Sequence, residues 1–416
     1  MNLSTSIKSL CLLALGASNT AFADDAADLK DLLEASTYSI ALEDGVLTGA
    51  GADFIVDAAS GSQFVALGEE HYNFHIPAIT TALFRELYNR YGYQYFMTEQ
   101  DPVMMETFSS APVRGDMNEI SALAAEYPTG VTFNSEQELQ MLADIGEISA
   151  DVDDVIWGCD QASGVTHILD QLLNEPLDTP ALEAVRELRK TSAEKEAVRD
   201  YEKGHYMFDA DTAVFEQLRT DVGAEPGSRA DWLLDVLINS SRIFGFYKNG
   251  NDDILPGYYE NNRFREEHLK DLCLARYRAA ESVAPMPKVL MKFGSWHLYE
   301  GLSPTRIHTI GDFFSNVARF NGQEFLSIHF TTRPDDPEEA MGQIGFIWPF
   351  IEGIDPGEFA VVDLRPFRRY PNRVLVEKAA GDAWLEAHRE SYIRLVYGYD
   401  LIFFVGGTKK ATFPAK

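Results

Sequence analysis

Residues 64–71 have the sequence FVALGEEH, in which a short apolar run is joined to a Gly-x-x-His phrase. The same phrase returns at Gly294–His297 (GSWH), directly after the apolar run Lys288–Phe293. A third run, Tyr95–Met97, leads into the polar residues Thr98–Asp101. Such runs are typical of buried strands in an α/β sheet, and ligands of these sheets bind just beyond the carboxyl ends of the strands. The sequence therefore predicts one cleft that both histidines share.

Apolar runs alternate with helical patterns along most of the chain, which predicts an α/β layered fold: a mostly parallel sheet with flanking helices. Residues 163–282 have a mostly helical pattern, so we predict a large helical insertion between two parts of the α/β core, 24–162 and 283–416. Strands are predicted at residues 64–67, 95–98, 155–157, 289–293, 325–330, 359–362 and 401–405, and helices at 26–35, from Pro77 to about Tyr91, from Ser135 and from Ser303.

The first residues have the pattern of an export signal. Lys8 supplies the positive charge, Leu10–Gly16 a short apolar segment, and Ala21–Ala23 a small-x-small cleavage site before Asp24. This apolar segment is too short to span a bilayer, and no later stretch of the sequence predicts a transmembrane helix. We therefore expect residues 1–23 to be a cleaved signal peptide and the mature protein to be periplasmic or secreted.

The composition limits the partners. Lysine and arginine number 35 against 65 aspartate and glutamate residues, a formal net charge of −30. Such a surface repels nucleic acid and anionic lipid, so the expected partner is a small-molecule or peptide substrate. Once the signal is removed, Cys159 and Cys273 are left, and the sequence leaves open whether they form a disulfide or remain two buried thiols.

The candidate site residues follow the predicted strands. Alternation along an extended strand puts Glu69 and His71 on one side and Glu70 on the other. Glu99 ends the next strand, and His297 arrives from the far end of the sequence. Two histidines with carboxylates suit two chemistries, which the residues leave open. His71, His297 and Glu99 can bind a divalent metal that activates water, or a histidine beside a glutamate can deprotonate water without metal.

Other polar residues are weaker candidates. His75, four residues after His71, can add a second imidazole. Either Arg263 or Arg265 can reach the cleft and bind an oxyanion, although a helix face with surface ion pairs is an equal alternative. Six further histidines are expected to be structural: His167, His205, His268, His308, His329 and His388.

These motifs resemble the superfamily that groups erythromycin esterases, ChaN-type haem-uptake proteins and Tiki-type proteases. Residues 68–75, GEEHYNFH, are similar to the ChaN-type Gly-Glu-x-His-x-Asn signature, and the two Gly-x-x-His phrases are similar to those of Tiki proteases. Glu99 matches the second acidic position of the family, and Arg263 is similar to a family arginine that precedes the last histidine motif.

The resemblance implies roles for these residues. His71 is implied as general base or metal ligand, with Glu69 or Glu70 and Glu99 orienting it, and His297 as second base, ligand or transition-state stabiliser. We therefore expect an exported hydrolase that cleaves an ester, lactone or amide. The alternatives are a Tiki-like metalloprotease and a ChaN-like haem-binding protein. In the haem-binding case the cofactor contacts fall on Asn73, His75 and Tyr258, because tyrosinate can ligate haem iron.

Overall fold

The computed structural model describes residues 30–197, 206–248, 256–333, 345–369, 382–407 and 409–414. The predicted signal peptide lies outside these residues, as do the first residues of the helix predicted at 26–35 and His205. Residues 30–35 are helical and form α1. Within the described residues, no helix has both the length and the apolar character needed to cross a membrane.

A nine-stranded sheet forms the centre of the protein, in the order β2-β1-β8-β9-β7-β3-β6-β4-β5. The six strands from β9 to β5 are parallel to one another, whereas β8 is antiparallel to both of its neighbours and β1 and β2 form an antiparallel pair. The predicted α/β class with a mostly parallel sheet is confirmed. The strands are β1 (Thr37–Glu43), β2 (Val46–Thr48), β3 (Ser62–Glu69), β4 (Tyr93–Thr98), β5 (Ile156–Gly158), β6 (Lys288–Gly294), β7 (Glu324–Thr331), β8 (Phe359–Asp363) and β9 (Leu401–Phe404).

Helices cover both faces of the sheet. Along β3, Val65 and Leu67 face one apolar core, and Phe64 and Ala66 face a second core on the other side. This alternation explains why the strand is apolar at every position, since a strand of a covered parallel sheet is buried on both faces. The helices that follow α1 are α2 (Ala50–Ala58), α3 (Ile76–Tyr91), α4 (Pro102–Ser109), α5 (Met117–Glu126), α6 (Glu136–Ile148), α7 (Thr166–Leu172), α8 (Thr179–Glu196), α9 (Tyr206–Asp209), α10 (Thr212–Val222), α11 (Arg229–Lys248), α12 (Pro256–Val283), α13 (Ile310–Phe320), Trp348–Ile351 and Asp382–Gly398.

Helices α7 to α12 lie between β5 and β6 in the chain, in the segment for which we predict a helical insertion. The helices from α7 to α11 share an apolar core of their own, which includes Ile168, Phe215 and Leu237. The long helix α12 returns to the sheet and contributes Leu269 and Tyr277 to the core on that face. The insertion therefore packs partly on itself and partly on the sheet.

One prediction of secondary structure is wrong, and two strands were missed. No helix begins at Ser303, because its side chain hydroxyl lies 2.6 Å from that of Thr305 in a turn, and the helix starts at Ile310 instead. Strands β1 and β2 were not predicted, since their mixed polar and apolar residues are only partly buried at the sheet edge. Of the two alternatives for the cysteines, the structure has the disulfide: Cys159 and Cys273 are bonded, with 5.6 Å between their Cα atoms.

Candidate active site

The register of the parallel strands brings the predicted site residues to one edge of the sheet. Glu69 of β3 pairs with Gly294 of β6, and Thr98 of β4 pairs with Lys292 of β6. The residues that follow these strands, including Glu99, therefore extend from the same edge. This arrangement brings His71, Glu69, Glu99 and His297 together, as the two Gly-x-x-His phrases predict.

His71 is held by the glutamate two residues before it. Its Nδ1 lies 3.1 Å from Oε1 of Glu69, and its side chain is 33% exposed whereas that of Glu69 is 5% exposed. Glu70 faces elsewhere and accepts a hydrogen bond of 2.7 Å from the hydroxyl of Thr332. Of the two glutamates that the sequence left open, the structure brings Glu69 to the histidine.

A buried lysine fixes Glu69 in turn. Nζ of Lys292 lies 2.7 Å from Oε1 of Glu69 and 2.8 Å from Oε1 of Glu138, and its side chain is 1% exposed. Burial alone raises the pKa of Glu69, but the charge of Lys292 and the hydrogen bond from His71 outweigh it and lower that pKa overall. Sequence reasoning missed Lys292, although a charged residue inside the apolar run of β6 was the available signal.

Glu99 is the centre of a group of charged residues at this edge of the sheet, which we call the charged cluster. Its Oε1 accepts from Nη2 of Arg265 at 2.6 Å, and its Oε2 accepts from the backbone N–H of Gly294 at 2.7 Å. The same Oε2 lies 3.8 Å from Nε2 of His71. Burial works against the charge of Glu99, but His297 and Arg265 outweigh it and hold its pKa well below the usual range. Glu99 is therefore a buried carboxylate.

The arginine of the cluster is Arg265. Its guanidinium binds Asp160 through two hydrogen bonds of 3.0 and 2.8 Å, and its Nε also donates to Oε1 of Gln161 at 2.6 Å. Arg263, the position that the family resemblance favoured, has an exposed side chain on α12. Two residues along a helix correspond to about 200° of rotation, so these two arginines face opposite ways. The placement of the site arginine at Arg263 is corrected to Arg265.

His297 lies deeper in the charged cluster than His71. Its side chain is 13% exposed, its Nε2 lies 3.3 Å from Oε1 of Glu99, and its Nδ1 contacts Oε1 of Glu266. Glu266 is itself held by the backbone N–H of Ile310, which donates to its Oε2 at 3.0 Å. Burial disfavours the charged ring, but the two carboxylates outweigh it and raise the pKa of His297 to about 10. The two carboxylates therefore favour the charged form of the ring.

The exposed ring of His71 packs against an aromatic wall. Phe133 stacks on it with 4.2 Å between ring centroids and 19° between the planes. The loop that carries Phe133 is fixed by Gln100, whose side chain accepts from the backbone N–H of Thr132 at 2.9 Å and donates to the backbone carbonyl of Phe133 at 3.1 Å. The segment after β4 thus supplies both Glu99 and, one residue later, Gln100, which holds this wall in place.

The two glycines of the Gly-x-x-His phrases allow close packing. A Cβ on Gly294 would lie 2.8 Å from Nε2 of His71 and 3.2 Å from Oε2 of Glu99. A Cβ on Gly68 would lie 2.2 Å from the hydroxyl oxygen of Tyr399, which donates to the backbone carbonyl of Ser295 at 2.5 Å. Glycine at position 294 therefore makes room for the first histidine.

The donor set does not suit a divalent metal. Among the described residues, no group of three or more histidine, cysteine, aspartate or glutamate side chains is arranged to hold a metal ion. Both oxygens of Glu99 are already used by Arg265 and by the N–H of Gly294, and Nη1 of Arg265 lies 3.0 Å from Nε2 of His297. A carboxylate whose oxygens are both occupied, with a guanidinium against the second histidine, is a poor set of metal ligands, so these residues do not fit the predicted metal site.

Two of the residues suggested for haem, Asn73 and His75, have other contacts. Oδ1 of Asn73 caps α3 by accepting from the backbone N–H groups of His75 and Ile76 at 2.8 and 3.3 Å. The ring of His75 packs edge-on against Phe359, with 5.4 Å between centroids. Tyr258 lies in the first turn of α12, and its side chain is outside the described part of the structure. Asn73 and His75 therefore have structural contacts of their own.

Comparisons with known proteins identify the fold. No family model matches the chain, and no curated protein matches it either. Among solved structures, a succinoglycan biosynthesis protein matches with 13% identity and a TM-score of 0.55, over 92% of this chain and 98% of that one. A Bacillus cereus protein matches with 13% identity and a TM-score of 0.53, over 94% and 99%.

A mutant of the erythromycin esterase EreC in its open conformation matches with 12% identity and a TM-score of 0.52, over 86% of this chain and 94% of that one. At such low identity the likeness concerns the fold. The chain therefore shares the fold of an erythromycin esterase, as the resemblance in its motifs implies.

Proposed function

We propose that the protein is a metal-independent hydrolase in which His71 activates water to cleave an ester, lactone or amide. The observation that carries this proposal is the state of His71. One ring nitrogen is bound by a buried glutamate, while the side chain as a whole is 33% exposed. The other nitrogen faces Glu99 across 3.8 Å. A histidine that has one nitrogen fixed by a carboxylate, and a side chain that is one third exposed, is suited to act as general base.

In the proposed reaction, Nδ1–H of His71 donates to Glu69, so that Nε2 carries the lone pair. Nε2 takes a proton from water, and the water oxygen attacks the carbonyl carbon of the substrate, giving a tetrahedral intermediate. Burial lowers the pKa of His71, but the hydrogen bond to Glu69 and the charge of Glu99 outweigh it and raise that pKa. The same two carboxylates thus stabilise the imidazolium that forms. The protonated ring then returns the proton to the departing oxygen or nitrogen.

His297 takes a different role in this proposal. Because its pKa is raised to about 10, it is protonated near neutral pH and cannot serve as a second base. Together with Arg265, it brings positive charge to Glu99, which keeps Glu99 ionised beside His71. The positive pair also offsets the negative charge that develops on the substrate carbonyl oxygen. We therefore assign His297 to stabilisation of the transition state.

We also propose that the mature protein is exported. The pattern of Lys8, Leu10–Gly16 and Ala21–Ala23 supports cleavage before Asp24. The disulfide between Cys159 and Cys273 supports the same conclusion, since disulfides persist mainly in oxidising compartments. The test is to sequence the amino terminus of the protein recovered from a periplasmic fraction. A chain that begins at Met1 and stays in the cytosol would contradict export.

The hydrolase proposal is tested with a panel of 4-nitrophenyl esters and γ- and δ-lactones, in the presence of a chelator. We expect turnover by the wild type and a decrease of about 10²–10⁴-fold in the variant His71→Asn. His308→Asn is the matched control, because the side chain of His308 is 64% exposed and pairs with Asp312 away from the cluster. Turnover that survives His71→Asn, or that is abolished by the chelator, would falsify the proposal.

A further inference from the structure

A cavity of about 910 Å³ lies beside the candidate active site, and we call it the side cavity. Helices α3, α5 and α6, the loop before α6 and the end of the chain form its walls. Its volume falls within the range of about 300–1,000 Å³ that is usual for small-molecule sites. None of the charged site residues lines it, but Tyr72, the residue after His71, and Thr132 do. Representative wall residues are Ala78, Ser121, Ala124, Val131, Met141 and Phe413.

A continuous run of aromatic rings joins the side cavity to His71. Tyr72, which lines the cavity, lies 6.5 Å from the ring of His71 and 5.7 Å from that of Phe133. Phe133 in turn stacks on His71, and its neighbour Thr132 lines the cavity. The exposed ring of Tyr72 thus lies between the proposed base and the side cavity. A group attached to a substrate carbonyl at His71 would reach the cavity by passing over this ring.

Residues 409–413 form the part of the cavity wall next to Tyr72. The backbone N–H of Ala411 donates to the carbonyl of Tyr72 at 2.8 Å, and that of Phe74 donates to the carbonyl of Lys409 at 3.0 Å. The ring of Phe413 then contacts that of Tyr72, with 5.5 Å between centroids. These bonds fix Phe413 as part of the wall.

The charge of the lining restricts what can bind. The walls are mostly apolar, and the charged residues that line them are Glu136 and Asp144. Among the described lining residues, none carries a positive charge. A carboxylate or phosphate in this cavity would lie near Glu136 and Asp144 without a positive partner, which is unfavourable. The lining therefore favours an apolar group that is uncharged or cationic.

We propose that the side cavity binds the apolar part of the hydrolysed substrate and excludes substrates with an anionic group at that end. This inference rests on the proposed hydrolase function, since it places the cleaved bond at His71 and the apolar group beyond Phe133 and Tyr72. It names the substrate class as esters, lactones or amides with a bulky apolar, non-anionic group.

The first test compares three 4-nitrophenyl esters: the acetate, the octanoate and the monoester of octanedioic acid, which keeps a free carboxylate. We expect kcat/KM for the octanoate to exceed that for the diacid monoester by at least about tenfold, since burial of methylenes is favourable and burial of the charge is not. Equal rates for these two esters would overturn the proposal.

The second test uses two variants that fill the cavity. Ser121→Trp and Ala78→Trp each place an indole in the wall, and each is expected to lower kcat/KM for the octanoate at least about tenfold while sparing the acetate. Ala78 is exposed on α3, so its variant tests the inference if Ser121→Trp fails to fold. Ala213→Trp, on an exposed position of α10, is the control. Loss of acetate and octanoate hydrolysis to the same extent in a folded variant contradicts the inference.

A binding experiment separates this inference from the hydrolase proposal. The neutral fluorophore N-phenyl-1-naphthylamine is titrated into the wild type and into His71→Asn. We expect both to bind one equivalent, and octan-1-ol but not octanoate to displace it. Ala78→Trp is expected to abolish binding. If the probe binds in this way but no ester is hydrolysed, the cavity is an apolar ligand site and the hydrolase proposal is wrong. If esters are hydrolysed through His71 and the probe does not bind, the inference about the cavity is wrong.

Discussion

The two Gly-x-x-His phrases end neighbouring parallel strands, yet their histidines are in contrasting states. His71 is 33% exposed and has one close carboxylate partner, Glu69. His297 is 13% exposed and lies between Glu99 and Glu266, with Arg265 beside it. The same phrase in the same topological position thus gives one open histidine and one that is enclosed by charge.

This contrast shows that the phrase sets the position of a histidine and that its neighbours set the role. Two partners of His297, Arg265 and Glu266, come from α12, the helix that precedes β6, and lie 32 and 31 residues before the histidine in the sequence. Its third partner, Glu99, follows β4. The partner of His71 comes from its own strand, two residues earlier. His71, with its partner two residues away, can keep one nitrogen for substrate. His297, which α12 covers, is part of a buried ionic network.

The largest expected effects come from replacing each histidine. One variant should lose activity and the other should lose stability. His71→Asn is expected to lower hydrolysis about 10²–10⁴-fold while changing the free energy of unfolding by less than about 1 kcal/mol. His297→Asn leaves Glu266 and Glu99 buried with one partner fewer, and such losses cost about 3–5 kcal/mol. Ester assays and urea denaturation of both variants measure the two effects. Equal decreases in unfolding free energy in both variants would show that the two histidines do not differ in their contribution to stability.

Removal of the disulfide is expected to have the next largest effect. It concerns α12, the helix that supplies partners of His297. The disulfide ties α12 to the end of β5 and closes a segment of 114 residues. We expect the double variant Cys159→Ser/Cys273→Ser to lower the free energy of unfolding by about 2–4 kcal/mol. Urea denaturation with and without reductant measures this change, and the double variant, which reductant cannot affect, is the control. A wild type that is equally stable with reductant would contradict the prediction.

Gly294→Ala tests the open histidine with a single methyl group. The new Cβ would lie 2.8 Å from Nε2 of His71, so the ring has to move. A displacement of this kind is expected to lower kcat/KM by about 100-fold. Gly245→Ala is the matched control, because a Cβ at that position of α11 meets no atom within 4 Å. Full activity of Gly294→Ala would show that His71 does not act from the position in which the structure holds it.

The smallest expected effects are shifts with pH, and they differ in sign. His71 must be neutral to accept a proton, and its pKa is raised, so activity should increase as pH rises through a value above 6.5. Glu69→Gln removes the hydrogen-bonded carboxylate and should move this increase to lower pH. A profile of kcat/KM against pH for both proteins measures the shift, and identical profiles would contradict the role of Glu69.

His297 shows the opposite dependence, in stability. Its pKa is raised from 6.5 to about 10, so its ionic contacts stabilise the folded state fully below pH 6.5 and this contribution is lost as pH rises towards 10. The difference in unfolding free energy between the wild type and His297→Asn should therefore become smaller from pH 6 to pH 10. Urea denaturation at both pH values measures it. A constant difference would mean that the ring is neutral throughout.

The parallel part of the fold and the meeting of His71, Glu99 and His297 could be predicted from the sequence because both depend on local patterns. Apolar runs indicate buried strands, and the carboxyl ends of parallel strands meet at one edge. The edge strands β1 and β2 could not be predicted in this way, because a partly buried hairpin lacks a continuous apolar run. The choice of Glu69 over Glu70 follows from strand alternation, which the structure shows directly.

The partners of the site residues were harder to predict because they depend on long-range packing. Lys292 and Glu138 meet across 154 positions of sequence, and nothing local to Glu138 indicates a buried ion pair. The site arginine was assigned to Arg263 because resemblance fixes a segment but not a helix face. Only the rotation of α12 on the sheet decides that Arg265 faces Glu99.

The disulfide also has a consequence for the charged cluster. The chain leaves the sheet at Cys159 and returns at Cys273, where the two Cα atoms are 5.6 Å apart. The helices between them therefore begin and end at one place. Asp160 follows the point of departure and Arg265 precedes the point of return, so the disulfide also holds together the two stretches of chain that form this ion pair.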